Sequence, residues 1–182
     1  MVRGLVHEIT GEYWGDPCSC FMTEDEEYSL TMSVDNVESN VLVTKAYCGY
    51  GPQGWKPEYL KANGYIVVYK VIDPESFEEA EGWCRTIFKE KNSQNVPIVI
   101  CGNFCDIEGP PRITQEEGEN LAAKLGVKFF ETSAFYFINV IEAFSELIRM
   151  MRNPIKEPVC KPIGEPKQNV KTKKKKEICA MF

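Results

Sequence analysis

Two buried apolar runs, each ending in a cluster of polar and small residues, constrain the fold of this chain more than any other feature. Pro97-Ile98-Val99-Ile100-Cys101 leads into Gly102-Asn103-Phe104-Cys105-Asp106, and Phe129-Phe130 leads into Glu131-Thr132-Ser133-Ala134. Between them, Thr114 and Glu117 form a capping pattern, Leu121, Ala122 and Leu125 supply an apolar side, and Gly126 marks a stop, so the segment reads as a helix. A short continuous apolar run suits a strand covered on both faces. Strands alternating with helices call for a mainly parallel sheet with helices on both of its faces, a doubly wound α/β fold. In such sheets ligands bind beyond the carboxyl ends of the strands, which is where Asn103, Asp106, Ser133 and Ala134 fall.

The rest of the chain extends the pattern. Residues 5–9 have a short amphipathic character that ends near Gly11. Residues 28–34 alternate as a half-buried strand does, Asp35-Asn36 supply a turn, and Val41-Leu42-Val43 begins the partner of a hairpin. Residues 48–57 hold three Gly and two Pro and must form a loop. Residues 64–71 are another buried strand. Asp73-Pro74-Glu75-Ser76 opens a helix whose buried face is Phe77, Ala80, Trp83, Cys84, Ile87 and Phe88. A last amphipathic helix spans residues 140–151 and closes before Pro154.

Composition narrows the class. A chain of 182 residues suits one domain with a sizeable core. No run approaches the roughly 18 apolar residues of a membrane span, and the first residues lack the pattern of a secretory signal. Eight cysteines in such a context favour reduced thiols, with Cys84, Cys101 and Cys105 filling apolar space. Cys18-x-Cys20 and the single His7 fall short of the four N/S ligands of a structural zinc site, so no metal ligands are assigned. The net charge of −6 is divided: residues 153–182 hold eight Lys and three Glu, a net of +5, which leaves −11 on residues 1–152. An acidic body argues against nucleic acid as a partner, and a basic tail argues for an anionic surface.

With Asn103-x-x-Asp106 after one strand and Thr132-Ser133-Ala134 after the next, residues 5–152 resemble a Ras-family small GTPase domain. The resemblance implies GTP or GDP as cofactor, effectors and regulators as partners, and a guanine site formed by Asn103, Phe104, Asp106, Ser133, Ala134 and Phe135. In it Asp106 accepts two hydrogen bonds from guanine N1–H and its 2-amino group, Asn103 braces the loop, and the Ala134 N–H donates to the guanine oxygen. Such pairing discriminates bases because the wrong base leaves buried polar groups unpaired. Phe104 and Phe135 stand where the family has lysines. Two readings of them stay open: rings stacking on the base, worth roughly 1–3 kcal/mol each, or apolar residues presented to a partner.

The phosphate half of the pattern is unmatched. No Gly-x-x-x-x-Gly-Lys-Ser/Thr occurs, although phosphate binding calls for a nest of backbone N–H groups, a Lys and a hydroxyl for Mg²⁺. Thr23, Asp25, Glu26 and Tyr28 resemble the first switch. By that register Met1 falls within the family's phosphate loop, Arg3-Gly4-Leu5 stands where Gly-Lys-Ser is expected, and the first strand maps before the chain. Lys45-Ala46-Tyr47-Cys48-Gly49 replaces the second-switch Asp-x-x-Gly-Gln, and Gln53 reads as a loop residue. A chain start that omits the first strand explains one loss, and a degenerate relative explains both. No catalytic residue is assigned, Mg²⁺ stays open, and hydrolysis is expected to be absent or very slow. Loss of a central strand would also leave two sheet edges unpaired unless they close on each other.

Residues 153–182 read as a flexible tail, spaced by Pro154, Pro158, Pro162 and Pro166. It carries Lys171 and Lys173-Lys174-Lys175-Lys176 and ends in Cys179-Ala180-Met181-Phe182, a prenylation pattern whose terminal Phe favours geranylgeranyl. A prenyl group at Cys179 and about 1 kcal/mol per lysine near anionic lipid would hold the chain on the cytoplasmic face of the plasma membrane or an endomembrane, with a prenyltransferase as a further partner. Two functions follow: a membrane-anchored, Ras-like guanine-nucleotide-binding signalling protein, or a nucleotide-free adaptor presenting Glu24–Glu27 to a partner.

Overall fold

The computed structural model describes residues 27–46, 57–153 and 176–181. The expected helical turn at residues 5–9, the switch residues Thr23, Asp25 and Glu26, and Gln53 lie outside the described residues. Strands β1 (Glu27–Val34) and β2 (Val37–Ala46) form an antiparallel hairpin with Val34 opposite Val37. Its two-residue turn, Asp35-Asn36, has φ of 54° and 59°. Asp and Asn tolerate that left-handed geometry, and its twist matches the flanking strands. The partner strand therefore begins at Val37, straight after the turn, four residues earlier than the apolar run at Val41 suggests.

The alternation in β1 places Leu30, Met32 and Val34 in the core, facing the same side as Val41 and Val43 of β2. A 3-10 turn (Pro57–Lys61) then leads to β3 (Gly64–Lys70), and β4 (Ile98–Asn103) and β5 (Lys128–Thr132) follow, all parallel. Three helices connect and cover them: α1 (Pro74–Lys91), α2 (Gln115–Leu125) and α3 (Val140–Arg152). The caps follow local chemistry. Asp73 accepts from the N–H groups of Glu75 and Ser76 ahead of α1, and Thr114 and Glu117 complete a reciprocal capping box on α2. Asn92 and Gly126 close α1 and α2 in the left-handed region.

Period-two alternation divides the sheet between two cores. Tyr65, Val67 and Tyr69 of β3 face α1 and α2, against Trp83, Ile87 and Leu121. Ile66 of β3 and Val99 of β4 face α3, against Phe144, Leu147 and Ile148. The protein is an α/β domain with helices on both faces of a mainly parallel sheet, as the strand–helix alternation implies.

The structure departs from the expectation of a flexible tail in one segment. Lys176–Met181 forms β6, parallel to β2 on one side and to β3 on the other, so the sheet order is β1-β2-β6-β3-β4-β5. The physical reason is the gap that the sequence leaves. Without β6, the facing edges of β2 and β3 would carry unbonded backbone groups, each costly to bury. The edges do not close on each other; the C-terminal segment fills the place between them, with Ile178 fully buried.

The last turn of α3 ties the hairpin down. Arg149 makes a bidentate pair with Asp35, both contacts at 2.8 Å. That guanidinium lowers the Asp35 carboxyl below its ordinary range, although both side chains are too exposed for the pair to add much stability. Arg152 donates to the carbonyls of Val34 and Val37, each at 2.7 Å, and to the Ser39 hydroxyl at 2.8 Å. Gly118 allows α2 to approach the sheet closely. A Cβ there would lie 2.5 Å from Phe129 and 2.7 Å from the Tyr69 hydroxyl. That hydroxyl is buried and finds no hydrogen-bond partner among the described residues.

Two substitutions separate these effects. Tyr69→Phe removes an unsatisfied buried group and should leave stability unchanged or raise it by about 1 kcal/mol. Gly118→Ala overpacks the same spot and should cost about 1–3 kcal/mol. Urea unfolding of both variants checks the pair. A Tyr69→Phe loss well beyond 1 kcal/mol would mean that the hydroxyl has a partner.

Candidate guanine-binding site

Parallel pairing sets Asn103, the last residue of β4, opposite Thr132, the last residue of β5. The Asn103 side chain is almost wholly buried and joins the two strand ends. Its Oδ1 accepts from the Ala134 N–H at 3.1 Å and from the Thr132 hydroxyl at 3.5 Å. A second tie runs the other way, from the Cys105 N–H to the Thr132 carbonyl at 3.1 Å. The two polar clusters, far apart along the chain, thus form one junction. Its cause is in-register pairing of β4 with β5.

After Asn103 the chain turns sharply. Phe104 has φ 71°, a left-handed conformation that is uncommon for a bulky residue and strained. The turn is closed by the Ile107 N–H donating to the Phe104 carbonyl at 3.2 Å. It places Asp106 at the end of the strand, partly exposed, with its carboxylate making no hydrogen bond or ion pair to the described residues. The ring of Phe104 is half-buried and packs against the core on the α1 side, while Phe135 is 65% exposed. The two aromatic residues are therefore in unlike settings. Phe104 is held by the core, and Phe135 meets Tyr136 edge-on, at 4.9 Å between ring centres.

The second loop is a small closed structure. Ser133 is fully buried; its N–H donates to the Ile138 carbonyl and its carbonyl accepts from the Ile138 N–H, at 3.2 and 2.9 Å. The Ser133 hydroxyl accepts from the Tyr136 N–H at 3.0 Å. Phe137 and Asn139 take left-handed φ values of 63° and 54°, and the Asn139 amide donates to the Glu131 carbonyl at 2.7 Å. Asn139 thus anchors the loop to β5. Sequence reasoning missed it, and its only signal was an Asn just before a helix. The Ala134 N–H, expected to meet a guanine oxygen, already donates to Asn103, so a base would share or displace that bond.

A base with two adjacent N–H donors suits these acceptors. The Asp106 carboxylate supplies two acceptor oxygens in reach of solvent, and the loop beside it is held by buried polar bonds. Glu131, partly buried at the end of β5, has a carboxyl raised by desolvation and by the neighbouring Glu119. For a metal the outcome differs: among the described residues no group of three or more His, Cys, Asp or Glu is placed to hold one. Of the remaining assigned residues, Tyr28 is a half-buried member of β1, and the backbone of Cys179 lies in β6.

Comparison with known proteins identifies the class. The sequence pattern of the Ras family matches residues 55–153, more than half of the chain, and the chain belongs to the Ras family of small GTPases. The matched region includes β3, β4, β5 and the junction at Asn103. Among similar proteins, a Ras-like protein rasB of Dictyostelium discoideum is 38% identical over 104 residues, covering 57% of this chain and 53% of its own. Ras-related protein Rab-13 of Bos taurus is 43% identical over 91 residues, covering 50% and 44%. A Ras-like protein of Laccaria bicolor is 37% identical over 103 residues, covering 56% and 49%. The chain spans about half the length of the curated relatives it matches. Members of the family in general bind guanine nucleotides, effectors and regulators.

Truncating Asn103 tests the junction. Asn103→Ala leaves the Ala134 N–H without its partner and should cost about 1–3 kcal/mol. Hydrogen exchange at Ala134 should rise in the same variant; unchanged exchange would show that the loop is held without the side chain. The cysteines give an independent check. Burial pushes the thiols of Cys84 and Cys101 up to about 12. Because these folded values lie above the ordinary 9.0, their contribution to stability is complete below pH 9 and is lost as the pH rises towards 12. At about pH 7.5, well below the ordinary thiol value, both should resist iodoacetamide in the native protein and react after unfolding, as followed by mass spectrometry of tryptic peptides.

Proposed function

We propose that this Ras-family chain is a membrane-associated signalling protein that binds the base of a guanine nucleotide, with GTP hydrolysis absent or very slow. The single observation that carries the reading is the junction at Asn103, which braces two loops and leaves the Asp106 carboxylate unengaged at the strand ends. Asp106 would accept from guanine N1–H and the 2-amino group, and Ser133 and Ala134 would frame the base. The exposed Phe135 is free to stack on a base, whereas Phe104 supports the loop from the core side. Slow hydrolysis is inferred from the second switch, where Lys45 and Gly49 stand in place of the family's Asp and Gln. Mg²⁺ has no assigned ligands on this reading.

Location is proposed from the tail. Prenylation of Cys179, joined by Lys171 and Lys173–Lys176, would place the chain on the cytoplasmic face of the plasma membrane or an endomembrane. A second reading, a nucleotide-free adaptor, is favoured by one feature. Phe135, Tyr136 and Ile138 are exposed together on one loop, the kind of apolar cluster that a protein partner covers.

Titration of the purified chain with fluorescent GDP and GTP, with and without Mg²⁺, separates the two readings. The nucleotide reading predicts micromolar or tighter binding, insensitivity to excess ATP, and a loss of roughly 10- to 150-fold on Asp106→Ala, the worth of about 1.5–3 kcal/mol for hydrogen bonds to a charged group. No binding at millimolar nucleotide sinks it and leaves the adaptor.

A further inference from the structure

The C-terminal segment has two claims on it that cannot both be met. In the sheet, Ile178 lies opposite Val43 of β2 and Gly64 of β3, and Cys179 lies opposite Thr44 and Tyr65. The pairing continues through Ala180 to Met181, which faces Ala46 and Val67. An inner strand of this kind has its backbone bonded along both edges, and Ile178 is fully buried among Val41, Val43, Ile66, Leu147 and Ile148. A transferase that modifies Cys179 needs the cysteine and the three residues after it as free chain. Cys179, Ala180 and Met181 cannot be held between two strands and in an enzyme groove at once.

We propose that Lys176–Met181 is a releasable strand whose seat between β2 and β3 excludes lipid attachment at Cys179, so that modification proceeds only from the released segment. The inference rests on the reading of Cys179 as a prenyl acceptor. The transfer itself is a displacement. The Cys179 sulfur forms a bond to C1 of an isoprenyl diphosphate, the C1–O bond breaks, diphosphate leaves, and the thiol proton passes to solvent with no change of oxidation state. Two opposed forces act on the segment. Burial of Ile178 and the bonding of two sheet edges hold it in. The lysines that lead into it, Lys173 to Lys175, and Lys176 at its start are drawn towards an anionic lipid surface and favour release.

The test uses the 182-residue chain, the variants Ile178→Asp, Glu177→Pro and Cys179→Ser, and a free peptide of residues 171–182. Ile178→Asp places a charge in the core, and Glu177→Pro removes one ladder N–H while leaving the apolar residues intact, so the second serves if the first fails to fold. Two readouts are taken: hydrogen exchange at residues 178–181, and the rate of transfer from geranylgeranyl diphosphate by a purified geranylgeranyltransferase. The expected result is protection of 178–181 in the unmodified chain and in Cys179→Ser, with transfer to the unmodified chain at least about 10-fold slower than to the peptide, as a strand seated most of the time requires. The seat-breaking variants should lose protection and approach the peptide's rate. Transfer to the unmodified chain at the peptide's rate while 178–181 stay protected overturns the exclusion, and unprotected amides in that chain overturn the seat. A dimer whose protection falls on dilution overturns the intramolecular seat in favour of strand exchange between copies. A peptide that accepts no prenyl group overturns the lipidation reading, and the exclusion with it, while the exchange data still report on the strand by themselves.

Discussion

Backbone hydrogen bonding in the middle of a parallel sheet is the constraint on which the rest of this structure depends. Strand β2 ends the hairpin and β3 begins the helix-covered half, and each has one edge that must be bonded if the sheet is to be continuous. A parallel neighbour for both has to be delivered from elsewhere in the chain, because a short turn can only supply an antiparallel one. Lys176–Met181 meets that need, with Ile178 in its middle fully buried. The hairpin is then fixed to the domain twice: through β6, and through Arg149 and Arg152 at the end of α3.

The same pairing logic builds the candidate site. Because β4 and β5 are parallel and in register, their last residues come level, and the polar residues after them are brought to one side of the sheet. Buried polar bonds do the rest. Asn103 spans the gap, Ser133 closes its own loop onto Ile138, and Asn139 returns to β5. Loops tied in this way leave Asp106 as the group with acceptor capacity to spare. On the proposed reading, a base would be recognised by the donors it offers to that carboxylate.

Much of this was legible in the residues. Alternation in β1, the continuous apolar runs of β3 and β4, Asp73 and Thr114 as helix caps, and Gly126 as a stop are local signals, and the structure uses each of them. Less legible were features that depend on distant partners. The start of β2 was obscured because Glu38, Ser39 and Asn40 carry no apolar signal, although a two-residue turn fixes the register. Phe104 and Phe135 looked equivalent as substitutions in similar loops. They differ because one backbone turns through a left-handed φ onto the core and the other stands exposed on the loop that Ser133 and Ile138 close.

The sequence by itself determined the class of fold, the order of the elements from β1 to α3, and the two polar clusters at the strand ends, because each follows from periodicity, capping or turn chemistry within a few residues. Only the tertiary structure decided the role of the C-terminal segment. Read alone, lysines and prolines leading to a terminal cysteine describe a solvated tail, since no local pattern requires Lys176–Met181 to become a strand. What places that segment in the sheet is the demand of two remote edges, on β2 and β3, for one parallel neighbour. That demand is a property of the assembled sheet and has no expression in the segment's own composition.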